Sequence, residues 1–222
     1  MTGLIVFDFD NTLVHSKIDF AGIRRELLDL LRQVGHPEAH GDSLMKLSIG
    51  QIIESGTAHD PAVHEDAWRI VVEYETAGMI AATIEPDAPE TLHSLRDNGF
   101  RLAVLTNNAR PATLAALDLF SMSSAFDLVL TRDEAAMKPD PAGILIAMRE
   151  LQVSTERTVM VGDSWMDGAA AARAGVPFIG FQPRPGTFEE RGVEAWAVVH
   201  QLTELMPVLK GPWPVVTRQA TQ

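Results

Sequence analysis

The chain contains no cysteine. That excludes disulfides, thiolate nucleophiles and cysteine-ligated zinc, and it fits a reducing compartment. Basic residues are scarce: 18 Lys and Arg stand against 30 Asp and Glu, for a formal net charge of −12. An acidic surface argues against a nucleic-acid or anionic-membrane partner, since either needs a basic patch. It leaves room for a small anionic substrate, because a local site can differ in sign from the whole. No apolar run reaches the roughly 18–20 residues that a membrane span needs. The first residues carry no basic segment, and their apolar run ends in acids after Phe7, so no signal peptide is expected. The expected setting is the cytoplasm. Internal repeats and low-complexity segments are also lacking.

What is present is ordinary globular composition, 46% hydrophobic and 22% charged over 222 residues, enough for one large domain or a domain with an insertion. The organising stretch is Leu4-Ile5-Val6-Phe7-Asp8-Phe9-Asp10-Asn11-Thr12-Leu13. Its apolar run reads as a buried strand, and it stops on two acids one residue apart. Burying a charge is costly without a partner, so the pair suggests a cation or a strand that ends in solvent. Taken alone, such a motif is more often a polar turn than a site.

A short polar connection, Val14 to Lys17, follows. From there to residue 84 the pattern is helical throughout, with no strand candidate. Asp19 can cap a helix carrying Phe20, Ile23, Leu27, Leu30, Leu31 and Val34 at helical spacing, stopped by Gly35 and Pro37. Ser43 to Ser55 reads as one or two short helices. Pro61 to Thr83 is a further helix with Val63, Ala67, Ile70, Val71, Tyr74, Ala77 and Ala81 on one face. After Pro86 and Pro89 the pattern changes. Helices are expected over 89–98, 112–119, 141–151, 167–174 and 202–209, and strands over 100–105, 126–130, 158–161, 177–180 and 195–199. The end, from Pro212, reads as frayed. Strand and helix alternate with short connections, the signature of a doubly wound parallel sheet, Rossmann-like, covered on both faces. The expected organisation is an α/β core from residues 1–15 and 85–222, interrupted by an all-helical insertion over 16–84.

In parallel sheets ligands gather outside the carboxyl ends of the strands. Those ends carry Asp8 and Asp10, Thr106 and Asn107, and Asp163 and Ser164 with Asp167 a few residues on; Lys138 lies in a loop after another strand end. Several carboxylates in a small volume need a cation. Oxygen ligands without histidine or cysteine favour a hard ion, most simply Mg²⁺. A lysine beside a metal, with hydroxyl and amide donors, suits a transferring phosphoryl group. An exposed Asp can then act as a nucleophile, and a second acid as proton donor and acceptor. Residue by residue, plainer readings exist. Asp163 and Asp167 can start a helix, Thr106 and Asn107 can form a loop, and Lys138 can make a surface ion pair. Taken together, these would place every such residue at a carboxyl strand end by accident.

Four stretches, Asp8-Phe9-Asp10-Asn11-Thr12, Leu105-Thr106-Asn107-Asn108, Lys138-Pro139-Asp140-Pro141 and Gly162-Asp163-Ser164-Trp165-Met166-Asp167, occur in this order. In them the chain resembles the haloacid dehalogenase superfamily of phosphohydrolases. The helical insertion after the first motif resembles the cap of the subgroup containing phosphoglycolate phosphatases and β-phosphoglucomutase. The resemblance implies Asp8 as nucleophile and Asp10 as general acid and base. It implies Thr106, Asn107 and Lys138 as holders of the phosphoryl oxygens. Mg²⁺ would be ligated by Asp8, the Asp10 backbone carbonyl and Asp163, with Asp167 and Ser164 in support. The implied activity is a Mg²⁺-dependent phosphatase acting on a small phosphorylated metabolite through an aspartyl phosphate.

A sugar phosphomutase on the same residues is the nearest alternative. A haloacid dehalogenase fits less well because Asp10 is present, and a non-catalytic phosphate-binding module would fit a chain with a damaged motif. The oligomeric state is open between monomer and dimer. Two departures stand out: Asn11 replaces the commoner glycine, where Asn tolerates a positive φ, and His15 stands where the subgroup often has an acid. His15, His36, His40, His59 and His64 show no metal-ligand spacing and read as surface residues. Trp68 and Trp165 read as packing, with Trp165 also placed to line an entrance. Lys17, Arg24 and Lys46 read as solvated basic side chains, Lys46 being the candidate to face substrate from the insertion.

Overall fold

The computed structural model describes residues 3–40, 43–44 and 47–214. A six-stranded sheet runs in the order β5-β4-β1-β6-β7-β8. Its strands are β1 (Leu4–Phe7), β4 (Arg101–Leu105), β5 (Leu128–Leu130), β6 (Thr158–Gly162), β7 (Phe178–Phe181) and β8 (Ala197–Val199). Every neighbouring pair is parallel. β1 lies at the centre, with Phe7 opposite Val104 on one side and Val161 on the other. Placing β4 and β6 on either side of β1 aligns three carboxyl ends in one row.

All four β1 residues are fully buried, as expected of a strand covered on both faces. Leu4 and Val6 join Leu105, Met160, Ile144, Ala147, Ala170, Ala171 and Ala174 in one apolar cluster, so α6 (Ala142–Glu150) and α7 (Trp165–Ala174) cover that face. Ile5, Phe7, Val104 and Val161 alternate to the other face and are equally buried. α4 (Ala88–Asp97), α5 (Arg110–Leu119) and α8 (Leu205–Leu209) complete the core helices. The segment read as a helix over 202–209 is one 3₁₀ turn, Leu202–Glu204, followed by α8.

The chain divides into two compact units, Met1–Ser16 with Ala82–Gln222, and Lys17–Ala81. The second unit contains α1 (Phe20–Gln33), α2 (Ile49–His59) and α3 (Val63–Ile80). Asp19 caps α1 by accepting from the Gly22 N–H at 2.8 Å. Ser48 and Gln51 form a reciprocal capping box that starts α2, within the stretch from Ser43 to Ser55 read as one or two short helices. These helices bury Ile23, Leu27, Leu31, Ile52, Ile53, Val63, Ala67 and Val71 against one another.

Two corrections concern the stretch read as wholly helical from 16 to 84 and the connection before it. Val14–His15 is a strand, β2, and Thr83–Ile84 is its antiparallel partner, β3. Two-residue strands carry no periodic signal; Val14, paired with Ile84, is fully buried. A third correction concerns His36, read as a surface residue. It is buried, its ring packs edge-on against His59 at 5.1 Å, and its Nε2 lies 3.2 Å from Ser55 Oγ.

Candidate active site

Asp8 follows directly on β1. Its backbone N–H donates to Val161 O at 2.8 Å, which prolongs the sheet by one residue and fixes where its side chain emerges. Thr12 Oγ1 donates to Asp8 Oδ2 at 3.2 Å. The tight loop between them holds Asn11 at a φ of 60°, in the left-handed region that few side chains other than Asn tolerate. The Asn11 N–H closes the loop on Val14 O at 2.6 Å.

Lys138 is buried, 5% exposed, which corrects the surface ion-pair reading. Its Nζ hydrogen-bonds Asp8 Oδ1 and lies 2.7 Å from Asp167 Oδ1. Burial alone would depress the ammonium, but the Asp167 and Asp8 carboxylates outweigh it and raise its proton affinity above the ordinary value. Asn107 brackets this lysine. Its Oδ1 accepts from the Lys138 N–H at 2.7 Å, and its Nδ2 donates to Lys138 O at 3.0 Å. The Asn107 side chain is therefore committed to placing Lys138. Thr106 is buried with its Oγ1 accepting from the Asn108 N–H at 3.2 Å, and that hydroxyl keeps its own proton to donate.

Asp163 and Asp167 flank the start of α7. Asp167 is fully buried and works with both oxygens. Oδ2 accepts from the Ser164 N–H at 3.0 Å and from Ser164 Oγ at 2.7 Å, while Oδ1 faces Lys138. Asp167 thus both starts α7 and pairs with Lys138. A side chain at Gly162 would put its Cβ 2.5 Å from Asp167 Cγ and Oδ2, so the glycine is what admits that carboxylate.

Carboxylate oxygens of Asp8, Asp163 and Asp167 all lie within 4.8 Å of one another. Against three acids stands one buried ammonium, so formal charge is left uncompensated. The acids register it. Burial pushes Asp163 up to about 6, with Asp167 adding to it and Lys138 opposing. Burial likewise pushes Asp8 well above the ordinary carboxylate range, Lys138 pulling it down and Asp167 and Asp163 pushing it up. An all-oxygen donor set short of positive charge fits a hard divalent cation.

The Asp10 carboxylate stands apart from this cluster. Ser16 holds both its oxygens, the backbone N–H donating to Oδ1 at 3.0 Å and Oγ to Oδ2 at 2.9 Å. Burial raises the Asp10 carboxyl above its ordinary value while the Ser16 bonds lower it. Thr12 and Ser16 were not assigned roles from the sequence. Thr12 could have been found from its place four residues after Asp8 inside the first motif; Ser16 carries no such signal. Lys46 lies outside the described residues. Trp165 is half-buried under the Arg191 guanidinium, which sits 4.9 Å above its ring.

A family model described as haloacid dehalogenase-like hydrolase matches residues 5–181. A phosphoglycolate phosphatase from Colwellia psychrerythraea is 32% identical over 80% of this chain and 83% of its own length. The pyrophosphatase PpaX of Bacillus mycoides is 26% identical over 92% of this chain and 95% of its own. Among solved structures, CbbY from Rhodobacter sphaeroides in complex with xylulose-(1,5)-bisphosphate superposes with a TM-score of 0.70 at 26% identity, covering 94% of this chain and 99% of that one. Among the described residues, no helix is long and apolar enough to cross a membrane.

Proposed function

The chain belongs to the haloacid dehalogenase-like hydrolases, and from that premise we propose that it hydrolyses a small phosphorylated metabolite through a covalent phosphate on Asp8. The observation that carries the reading is the Asp8–Lys138–Asp167 contact beside Asp163, on the same rim as a separately held Asp10. A nucleophile and a cationic anchor share one buried point, and a second acid stands two residues away with its own partners.

In this mechanism an Asp8 carboxylate oxygen attacks phosphorus, forming an O–P bond as the bond to the substrate oxygen breaks. Asp10 gives its proton to that departing oxygen. Its burial-raised proton affinity is the direction a proton donor needs. Water then attacks the phosphorus, Asp10 takes the proton back, and the O–P bond to Asp8 breaks to release inorganic phosphate. Lys138 and the Thr106 hydroxyl face the phosphoryl oxygens, and Asn107 fixes Lys138. Asp8, Asp163 and the Asp10 backbone carbonyl would hold Mg²⁺, while Asp167 is taken up by Lys138 and Ser164. When bound, the cation offsets the negative charge of the transferring group. The named relatives act on or bind phosphoryl compounds of different size, from pyrophosphate to a sugar bisphosphate. That supports the substrate class and hydrolysis as the outcome. A cytoplasmic setting belongs to the same proposal and rests on the absence of cysteine.

The test is phosphate release from phosphoglycolate, pyrophosphate and xylulose bisphosphate with Mg²⁺. Mass spectrometry of the quenched protein is expected to show one added phosphoryl group on wild type and none on Asp8→Asn. Full activity in Asp8→Asn, or in excess EDTA, overturns the mechanism.

A further inference from the structure

The pair His15 and Glu85 has no role in the chemistry above. Glu85 is 8% exposed, and a carboxylate at that depth is costly unless it is paired and hydrogen-bonded. His15 Nε2 donates to its Oε2 at 2.7 Å. His15 belongs to the β2–β3 ribbon, where Val14 pairs with Ile84 and His15 with Thr83, and Glu85 follows β3 directly, its N–H donating to Leu13 O at 3.0 Å. This ribbon is only two residues long on each side. Backbone pairing by itself leaves such a short element marginal, so the part-buried pair of His15 with the buried Glu85 contributes a large share of its hold.

The residue after His15 is Ser16, which donates to both oxygens of Asp10. Between Asp10 and Ser16 the chain is a single tight loop. The Asn11 N–H donates to Val14 O, and the Val14 N–H donates to Phe9 O at 3.1 Å. The position of Ser16 therefore follows the position of β2, and β2 is pinned to β3 by His15 and Glu85. We propose that His15 and Glu85 are positioning residues that hold Ser16 against Asp10 and thereby set the proton-transfer step. They touch neither the acid cluster nor Lys138; their effect passes through the Ser16 N–H and hydroxyl, beside the smaller direct pull of a charged His15, which lowers Asp10 less than the Ser16 bonds do. In its catalytic part this inference rests on the functional reading above.

Elsewhere, a cavity of about 700 Å³ is lined by Trp165, Arg173, Arg191 and Trp196. Its recognition faces are already used within the chain: Arg191 covers Trp165, Trp196 packs at a tilt against Trp213, and Arg173 donates to Pro139 O. It supports no ligand argument comparable to the ribbon pair.

The test uses His15→Ala, Glu85→Ala, the double variant and Glu85→Gln, which keeps an acceptor for the His15 N–H. Two readouts are taken: amide hydrogen exchange at Ser16 by NMR, and steady-state kinetics on the best phosphoester. Losing a hydrogen bond to a buried charged group is expected to lower kcat by about tenfold with KM within about twofold. The double variant is expected to be no worse than either single one, and Glu85→Gln to recover most of kcat. Ser16 exchange should speed up by about tenfold in both alanine variants and in the double variant, and stay near the wild-type rate in Glu85→Gln. Unchanged Ser16 exchange, or faster exchange with kcat intact, overturns the proposal, as does a uniform fall in thermal stability with the kinetics unaltered. Should wild type turn over no phosphoester, the functional reading fails on its own, and the exchange measurement still decides whether the pair holds Ser16.

Discussion

Replacing Lys138 by methionine keeps an unbranched apolar stem one heavy atom shorter and removes the charge. In the metal-free protein that leaves the carboxylates of Asp8, Asp163 and Asp167, packed within 4.8 Å, without the ammonium that lies between Asp8 and Asp167. Removing one partner of a buried ion pair costs about 3–5 kcal/mol, because the other charge stays buried and unpaired. For a chain of this length each kcal/mol moves Tm by about 2–4 °C, so Tm is expected to fall by about 10 °C at pH 8 in EDTA.

The pH dependence identifies the cause. The folded-state proton affinity of Lys138 is raised, so its contribution is fully present below its ordinary value of 10.5 and is lost only as pH rises through the folded value. Both pH 5 and pH 8 lie within the full range, so any difference between them comes from the acids. At pH 5 Asp163, which titrates at about 6, is largely protonated. The repulsion that Lys138 relieves is then smaller, and the loss should shrink to less than half. Urea denaturation of wild type and Lys138→Met at the two pH values gives both numbers. A loss below about 1 kcal/mol at pH 8, or an equal loss at pH 5 and pH 8, refutes the argument that this lysine offsets crowded carboxylates.

The same acids set the metal response. Because burial raises Asp163 from 3.8 to about 6, its penalty on metal-free stability is absent below 3.8, grows through that window and is complete above about 6. Asp163→Asn should therefore stabilise the EDTA-treated protein at pH 8, by up to about 3 kcal/mol, and not at pH 4, as urea denaturation would show. Millimolar Mg²⁺ should raise Tm of wild type and not of Asp163→Asn, with apparent affinity falling by up to about tenfold per pH unit below pH 6. Asn107→Ala should cost about 1–3 kcal/mol by urea denaturation and lower kcat/KM by at least about tenfold, since both ends of its amide hold the Lys138 backbone. Gly162→Ala should lower kcat by displacing Asp167, while far-UV circular dichroism stays that of wild type.

The parallel sheet was legible because buried strands and the helices between them leave long periodic marks. The Ile5, Val104 and Val161 runs needed no partner to be recognised. Site residues at the carboxyl ends were legible for the same reason, once each strand end was known. The β2–β3 ribbon was not legible, since a pair of two-residue strands has no period and exists only by pairing across the 67 residues between them. His36 was misplaced because imidazole carries no burial signal of its own; its setting comes from the packing of α1 against α2.

By itself, then, the sequence determined the order of strands and helices, the helical insertion, and which acids, hydroxyls and lysine stand where strands end, because these depend on local periodicity and on chain order. The tertiary structure decided how they divide. It put Asp8, Asp163 and Asp167 around one buried lysine, turned Asn107 onto the backbone of that lysine, and gave Asp10 to Ser16. Those outcomes turn on distances of a few ångströms between residues far apart in the chain, and such distances are set by sheet register and side-chain packing, which no local pattern encodes.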